Sequence, residues 1–312
     1  MREHFPALTL AGRGSSRLLW RRVLGSLQAV HRIFCKSRES LENVALREGV
    51  WQGQARIPRR GSAGAAPPPE QRLVHNSGSM PEFKYVGSEL DLFAAVHHWK
   101  SYWSTEIRRF IKGDVLEVGA GTGSNTPFLD TGHLGHFVCL EPDPQLLDRL
   151  GQVRAGTRRY ETICGTLETL PAEKQFDTIV YIDVLEHIED DRAELNRAVA
   201  HLRSGGRVIV LSPAHQWLFT PFDAAIGHFR RYGRSMVEAI SPPGLELELC
   251  RYLDSVGLAA SAANLVLLRQ SMPTKDQLRF WDTFLVPMSR LIDRLLLYSI
   301  GKSILAVWRK SI

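Results

Sequence analysis

The stretch Asp114–Asn125, DVLEVGAGTGSN, decides how the rest of the chain is read. Residues Asp114 to Val118 read as an apolar strand closing on an acid, Glu117, and Gly119, Gly121 and Gly123 then alternate before a helix expected over residues 125–130. Strand, tight turn and helix start follow one another within twelve residues. Glycine takes positive φ without a Cβ clash and lets a ligand approach the main chain, and the helix start behind it offers unpaired N–H groups. A nucleotide-like ligand suits such a turn. A GxGxG string taken alone is a weak signal, since nicotinamide-binding folds carry a similar one, so the surrounding sequence has to discriminate.

Upstream, residues 89–111 place Leu90, Phe93, Val96, Trp99, Trp103, Ile107 and Phe110 at helical spacing, which predicts one or two helices leading into the strand. Trp99 and Tyr102 are open to two readings, as core or as a cover over bound ligand. Downstream, HFVCLE at 136–141 is a second strand ending in Glu141, followed by Pro142 and a helix over 144–154. An acid at the tip of the second strand of an open α/β sheet lies beside the glycine turn and can accept both ribose hydroxyls of a nucleoside. Further strands are expected at 160–164, 176–182, 207–211, 245–253 and 303–308. A charge-rich helix is expected at 191–202, a Gly-Gly turn at 205–206, an apolar helix at 256–268 and an amphipathic stretch at 278–298. Strands and helices alternating at this interval make βαβ units and a mainly parallel sheet covered on both faces.

Charge divides the chain. Residues 1–80 carry 13 Lys+Arg against 5 Asp+Glu, whereas the remaining residues carry 26 against 28. The basic character therefore belongs to the leader, and the near-neutral remainder is not expected to bind nucleic acid. Residues 1–79 read as an extension rather than a domain: Arg-rich, closing in a Gly/Ala/Pro run at 61–69, and followed at Met80 by well-patterned sequence. Three readings stay open for it: a disordered or upstream-read extension, a transit peptide built on a basic amphipathic helix at 17–34, or a partner-binding helix. Cys35, Cys139, Cys164 and Cys250 show neither CxxC nor Cys/His spacing. They read as reduced core residues with no metal, and a reducing, cytoplasmic setting is expected, or a mitochondrial one if the leader is a transit peptide. No apolar run reaches the roughly 18–20 residues of a membrane span, which leaves peripheral membrane contact open. The oligomeric state is not legible.

Four motifs in order, LEVGAGTG at 116–123, Glu141, FDTIVYIDVLEHIEDD at 176–191 and LRSGGRVIVLSP at 202–213, resemble the class I S-adenosylmethionine-dependent methyltransferases over about residues 93–309. The resemblance implies an α/β, Rossmann-like, doubly wound sheet of seven strands, mainly parallel, with an antiparallel last strand inserted beside the fifth. It implies S-adenosyl-L-methionine as cofactor. Glu117, Gly119, Ala120, Gly121, Gly123 and Asn125 would form the cofactor turn, Glu141 and Pro142 the ribose side, Thr166 and Leu167 the adenine side, and Asp183 the floor of the methionine pocket. Many relatives carry an Asp where this chain has Thr166, so adenine recognition would fall to backbone or to Glu168.

The segment 214–232 resembles a subgroup in which an Asp-x-x-x-Gly-His-x-Arg-Arg-Tyr string forms a lid over the acceptor. Asp223, His228 and, after strand four, His187 are candidate catalytic groups, and Arg230, Arg231 and Tyr232 candidate acceptor contacts. The arginines have a second reading, as partners of sheet-end acids that fix the loop. Methyl transfer from a sulfonium is a displacement on an activated carbon, so alignment does most of the work and a base is needed only for a hydroxyl or protonated amine. A small or medium-sized metabolite, a sugar or lipid-linked acceptor among them, fits better than protein or RNA. Two rivals remain. A nicotinamide-dependent oxidoreductase would prefer GxGxxG over this turn, and a non-catalytic protein of the same fold would show broken glycines or a missing ribose acid.

Overall fold

A computed structural model of the chain describes residues 89–151, 160–265 and 274–311. The leader, the stretch 17–34 read as an amphipathic helix, Cys35 and the expected helix ends at 152–154 and 266–268 lie outside them. Seven strands form one sheet: β1 Val115–Val118, β2 Phe137–Glu141, β3 Glu161–Cys164, β4 Phe176–Ile182, β5 Leu202–Pro213, β6 Leu245–Leu253 and β7 Ser303–Lys310. Their order is β3-β2-β1-β4-β5-β7-β6, with β7 antiparallel to both neighbours and every other pairing parallel. Chain order reverses between β1 and β4, which opens a crevice beyond their carboxyl ends.

Both faces are covered, as the apolar runs require. Val115, Cys139, Val180, Ile209 and Val307 point to one face, under Trp99, Trp103 and Ile107 of the helix His98–Ile107. Leu116, Val138, Leu140, Ile179, Tyr181, Val208 and Trp308 alternate to the other. Trp99 and Tyr102 are thus core residues. The Tyr102 hydroxyl donates to Asp293 at 2.7 Å, and Trp99 lies 5.8 Å from the Trp281 ring. Asp282 caps the same helix from afar, accepting the N–H groups of His97, His98 and Trp99 at 3.1, 3.2 and 2.9 Å.

The Gly-Gly turn forms where it is expected, as a break within β5: pairing with β4 jumps from Leu202 to Arg207, Gly205 takes φ of 74°, and a Cβ on Gly206 would stand 2.8 Å from Arg203 O. Three expectations need correction. The stretch 278–298 is divided by a wide π-turn, Trp281–Leu285, between helices Lys275–Phe280 and Val286–Leu295. The apolar helix Ser255–Ala263 buries only Ser255 and Gly257, so core burial does not explain its composition. Cys164 is exposed and Cys250 half-buried, because β3 is an edge strand and β6 is only partly covered; Cys139 alone of the three described cysteines is core, and all three are free thiols. Among the described residues no helix is long and apolar enough to cross a membrane.

Candidate active site

The crevice is built from the loops after β1, β2, β4 and β5. After β1 the chain turns through Gly119, Gly121 and Gly123, at φ of 65°, 56° and 73°. The N–H groups of Gly119 and Ala120 both donate to Leu140 O, at 2.8 and 3.1 Å, which fastens the turn to β2. At the tip of β2, Glu141 accepts the Gly121 N–H at 2.8 Å and the Asp143 N–H at 2.9 Å. Acid and turn are therefore in direct contact. Glu141 is 4% exposed and burial raises its pKa against those two hydrogen bonds. A carboxylate has about four acceptor sites, so lone pairs remain for two ribose hydroxyls. A Cβ on Gly121 would meet nothing nearer than Leu90 side-chain carbons at 3.9 Å, so the turn presents an open face of main chain there. At Gly119, by contrast, Val184 stands within 2.8 Å. These residues fit a nucleoside cofactor.

Glu117 is buried beneath the turn and accepts the Thr126 hydroxyl at 2.6 Å, while burial pushes its carboxyl up to about 7. Lys100, which sequence reasoning missed, reaches the same place: its ammonium donates to Ser124 O at 3.2 Å and Ala94 O at 3.3 Å. Burial lowers Lys100 to about 8, opposed chiefly by Asp183, Asp282 and Glu117. Its only sequence signal is a charge beside Trp99 in an otherwise apolar stripe.

Asp183 takes φ of 55° after β4 and is exposed on the cleft floor. Surrounding protein still displaces enough water to lift its carboxyl to about 6, opposed by the charges of His228, Lys302 and Lys100. Lys302, a second residue not foreseen, is lowered by burial and rests 4.7 Å from the Trp281 ring centre. Asn125 stands at the head of the short helix Thr126–Leu129 without a side-chain cap bond. On the far wall, Pro142 is half-buried, Thr166 is exposed with its N–H on Thr169 Oγ1 at 3.0 Å, and Leu167 is packed into the core.

The segment after β5 folds back over the loop after β4. Its ends pair where the His215 N–H donates to Tyr232 O and the Tyr232 N–H to Pro213 O, both at 2.9 Å, and the Phe229 N–H donates to Glu186 O at 2.8 Å. Asp223 closes the capping box of helix Pro221–Ala225 by accepting the Thr220 N–H at 2.8 Å. It also accepts His228 Nδ1 at 3.0 Å and Arg231 Nε and Nη2 at 2.8 and 3.0 Å. Burial would raise its pKa, but His228, Arg231 and Thr220 together hold it well below the usual carboxylate range. Asp223 is accordingly a residue that orients His228 rather than a proton acceptor. Arg230 pairs with Asp191 at 2.7 Å and caps the Ile188 carbonyl at 3.0 Å. Tyr232, expected to touch acceptor, is 1% exposed with its hydroxyl 2.9 Å from Asp191 Oδ2, so it packs inside the base of this segment. Arg230 thus ties the segment to the start of helix Asp191–Ala200, and Arg231 ties it to its own Asp223.

His228 and His187 meet edge to face, ring centres 4.5 Å apart. Burial, with His228 beside it, lowers His187 to about 4. Two open surface cavities, about 330 Å³ beside Arg109 and Arg207 and about 280 Å³ beside Glu246 and Arg309, lie toward the opposite end of the sheet. They have no part in this site, where the acids and histidines converge.

The family model described as "Methyltransferase domain" matches residues 116–208, the span from β1 into β5. Over 146 residues the chain is 31% identical to a protein of Salinispora arenicola described as a probable nonribosomal peptide synthetase, CymA, covering 43% of this chain and 2% of that one. Over 105 residues it is 27% identical to a ubiquinone biosynthesis O-methyltransferase of Bradyrhizobium, covering 33% of this chain and 41% of the relative. The chain thus spans less than half the length of either curated relative. Among solved structures, the Haloferax volcanii complex of the Trm112 methyltransferase activator with a methyltransferase contains a similar fold, with a TM-score of 0.50, 18% identity, and coverage of 73% of this chain and 100% of that chain. Residues 116–208 thus match the methyltransferase-domain model on a Rossmann-like sheet whose glycine turn touches the strand-two acid, an arrangement that fits S-adenosylmethionine.

Proposed function

We propose that residues 80–312 form one methyltransferase unit with its lid at 214–232, and that it moves the methyl group of S-adenosylmethionine to an oxygen of a small or medium-sized metabolite, a sugar or lipid-linked one. The observation that carries this reading is the 2.8 Å contact between Gly121 N–H and Glu141, at the point where strand order reverses. When bound there, the cofactor supplies an activated methyl group on a sulfonium. Gly119, Ala120, Gly121, Gly123 and Asn125 shape the turn against its backbone, Glu117 and Lys100 stand beneath its methionine end, Glu141 and Pro142 flank the ribose, and Thr166 and Leu167 border the adenine. Asp183 forms the floor, and the lid residues His228 and His187 close the acceptor side.

Three features support a hydroxyl acceptor with an apolar part. One curated relative is named an O-methyltransferase. The histidine pair offers neutral nitrogen near the cleft floor. Helix Val286–Leu295 and its flanks expose Phe284, Met288, Leu291, Leu295 and Leu297, a greasy surface suited to a long tail or a membrane face. Calorimetry with S-adenosylhomocysteine and with NAD tests the cofactor: binding of NAD alone would overturn the reading. Incubation of the full chain with methyl-labelled cofactor and fractionated cell extract tests the acceptor. Label in small molecules or lipid is expected, and label only in protein or RNA would refute it.

A further inference from the structure

Two adjacent side chains, Glu186 and His187, and a third far along the chain, His228, converge where the lid meets the loop after β4. Glu186, His187 and His228 each offer one donor atom, and all of these lie within 4.8 Å of one another. Glu186 is 0% exposed. Its Oε2 accepts the Ser212 hydroxyl at 2.9 Å, while Oε1, aimed at the cluster, has no hydrogen-bond partner. His228 Nε2 is 3.9 Å from that Oε1, too far for a hydrogen bond. An orphaned carboxylate oxygen in a dry interior is costly and calls for a ligand to explain it.

The surrounding bonds already orient the donors. His228 Nδ1 is held by Asp223 at 3.0 Å, which turns Nε2 toward Glu186. Asp223 is fixed in turn by Arg231 and by Thr220. His187 leans on the backbone of Ile226 and Gly227. A carboxylate behind one histidine, backbone carbonyls behind the other and a hydroxyl behind the acid are the outer partners that metal ligands use. We propose that Glu186, His187 and His228 bind a divalent transition metal, zinc by the chemistry of two imidazoles and one carboxylate, with coordination left open toward the cleft. The donor atoms lie within 4.8 Å of one another, so rotamer shifts bring them onto a zinc at about 2.0–2.2 Å.

The metal would hold an acceptor hydroxyl and lower its pKa, so that its proton passes to solvent while the oxygen takes the methyl group and the S–CH3 bond breaks to leave the neutral thioether. That role rests on the methyl-transfer reading; zinc binding itself does not. Cysteine and histidine spacing gave no sign of it, because the ligands come from two loops joined only by folding.

The test uses the full chain, stripped with chelator, and Zn²⁺ in competition with a chromophoric chelator. One zinc per chain is expected, and Co²⁺ in its place should show the visible absorption of a low-coordinate nitrogen and oxygen site. Glu186→Gln and His187→Asn should each weaken zinc by at least about tenfold, and Asp223→Asn by about 10–100-fold. Circular dichroism and S-adenosylhomocysteine calorimetry show which variants stay folded; should Glu186→Gln unfold, His187→Asn, at a half-buried ring, decides. Stoichiometric zinc unaffected by the folded variants, or no stoichiometric zinc at all, would overturn the proposal. Zinc binding without any S-adenosylhomocysteine binding would instead sink the methyl-transfer reading and leave the metal site standing.

Discussion

Replacing Glu141 by glutamine separates two jobs that the carboxylate is placed to do. In the folded chain its two oxygens accept one backbone N–H each, from Gly121 at 2.8 Å and from Asp143 at 2.9 Å. Glutamine keeps the size but only one acceptor oxygen, so one of those buried N–H groups would face an NH2. Leaving one donor unsatisfied costs about 1–3 kcal/mol, equivalent to a fall of about 2–12 °C in Tm for a domain of this size. The cofactor loses more. Ribose hydroxyls that donated to a carboxylate would meet a neutral amide already committed to the backbone, and hydrogen bonds to charged groups are worth about 1.5–3 kcal/mol, an affinity loss of about 10–150-fold. Calorimetry with S-adenosylhomocysteine measures this, with thermal unfolding run on the same sample. If Tm falls while affinity stays within about threefold of wild type, Glu141 only braces the turn and the ribose assignment is refuted.

Other perturbations probe the same architecture. His228→Ala should leave S-adenosylhomocysteine binding intact and slow methyl transfer by about 10²–10⁴-fold in a labelled-methyl assay; equal loss of binding would put His228 in the wrong place. The Glu117 carboxyl is raised by burial from its ordinary 4.5 to about 7, so its effect on stability is most favourable below 4.5 and is lost as pH rises through about 7. Urea titrations of wild type should weaken over that window and those of Glu117→Gln should not; a parallel slope in both would assign the pH dependence elsewhere. Asp293 accepts Tyr102 Oη at 2.7 Å, Asp254 N–H at 2.7 Å and Ser255 N–H at 2.9 Å, all buried. Asp293→Ala should cost about 3–5 kcal/mol by urea denaturation, and a loss below about 1 kcal/mol would mean that water replaces those bonds.

What could be seen in the sequence was what depends on neighbours along the chain. The glycine turn, the acid closing β2 and the alternation of strands with helices are local patterns, and they led to a sheet of the observed order, with β7 between β5 and β6. Gly205 and Gly206 were legible as a turn because a positive φ and a break in strand pairing are local needs that glycine meets. The helix Ser255–Ala263 misled because apolar composition does not say which neighbour covers it. Lys100 and Lys302 were invisible because their meaning comes from Asp183, reached only through the sheet. In the segment 214–232, the pairings of Arg230 with Asp191 and of Arg231 with Asp223 are contacts that only the folded loop defines.

The most direct test of the central claim is a crystal structure of the full chain with S-adenosylhomocysteine. Both ribose hydroxyls should lie within hydrogen-bond reach of Glu141, the main chain at Gly121 should run against the ligand, and the sulfur should face Asp183 and the His187–His228 pair. A nucleoside bound away from Glu141, or a sulfur turned from the histidines, would contradict the account.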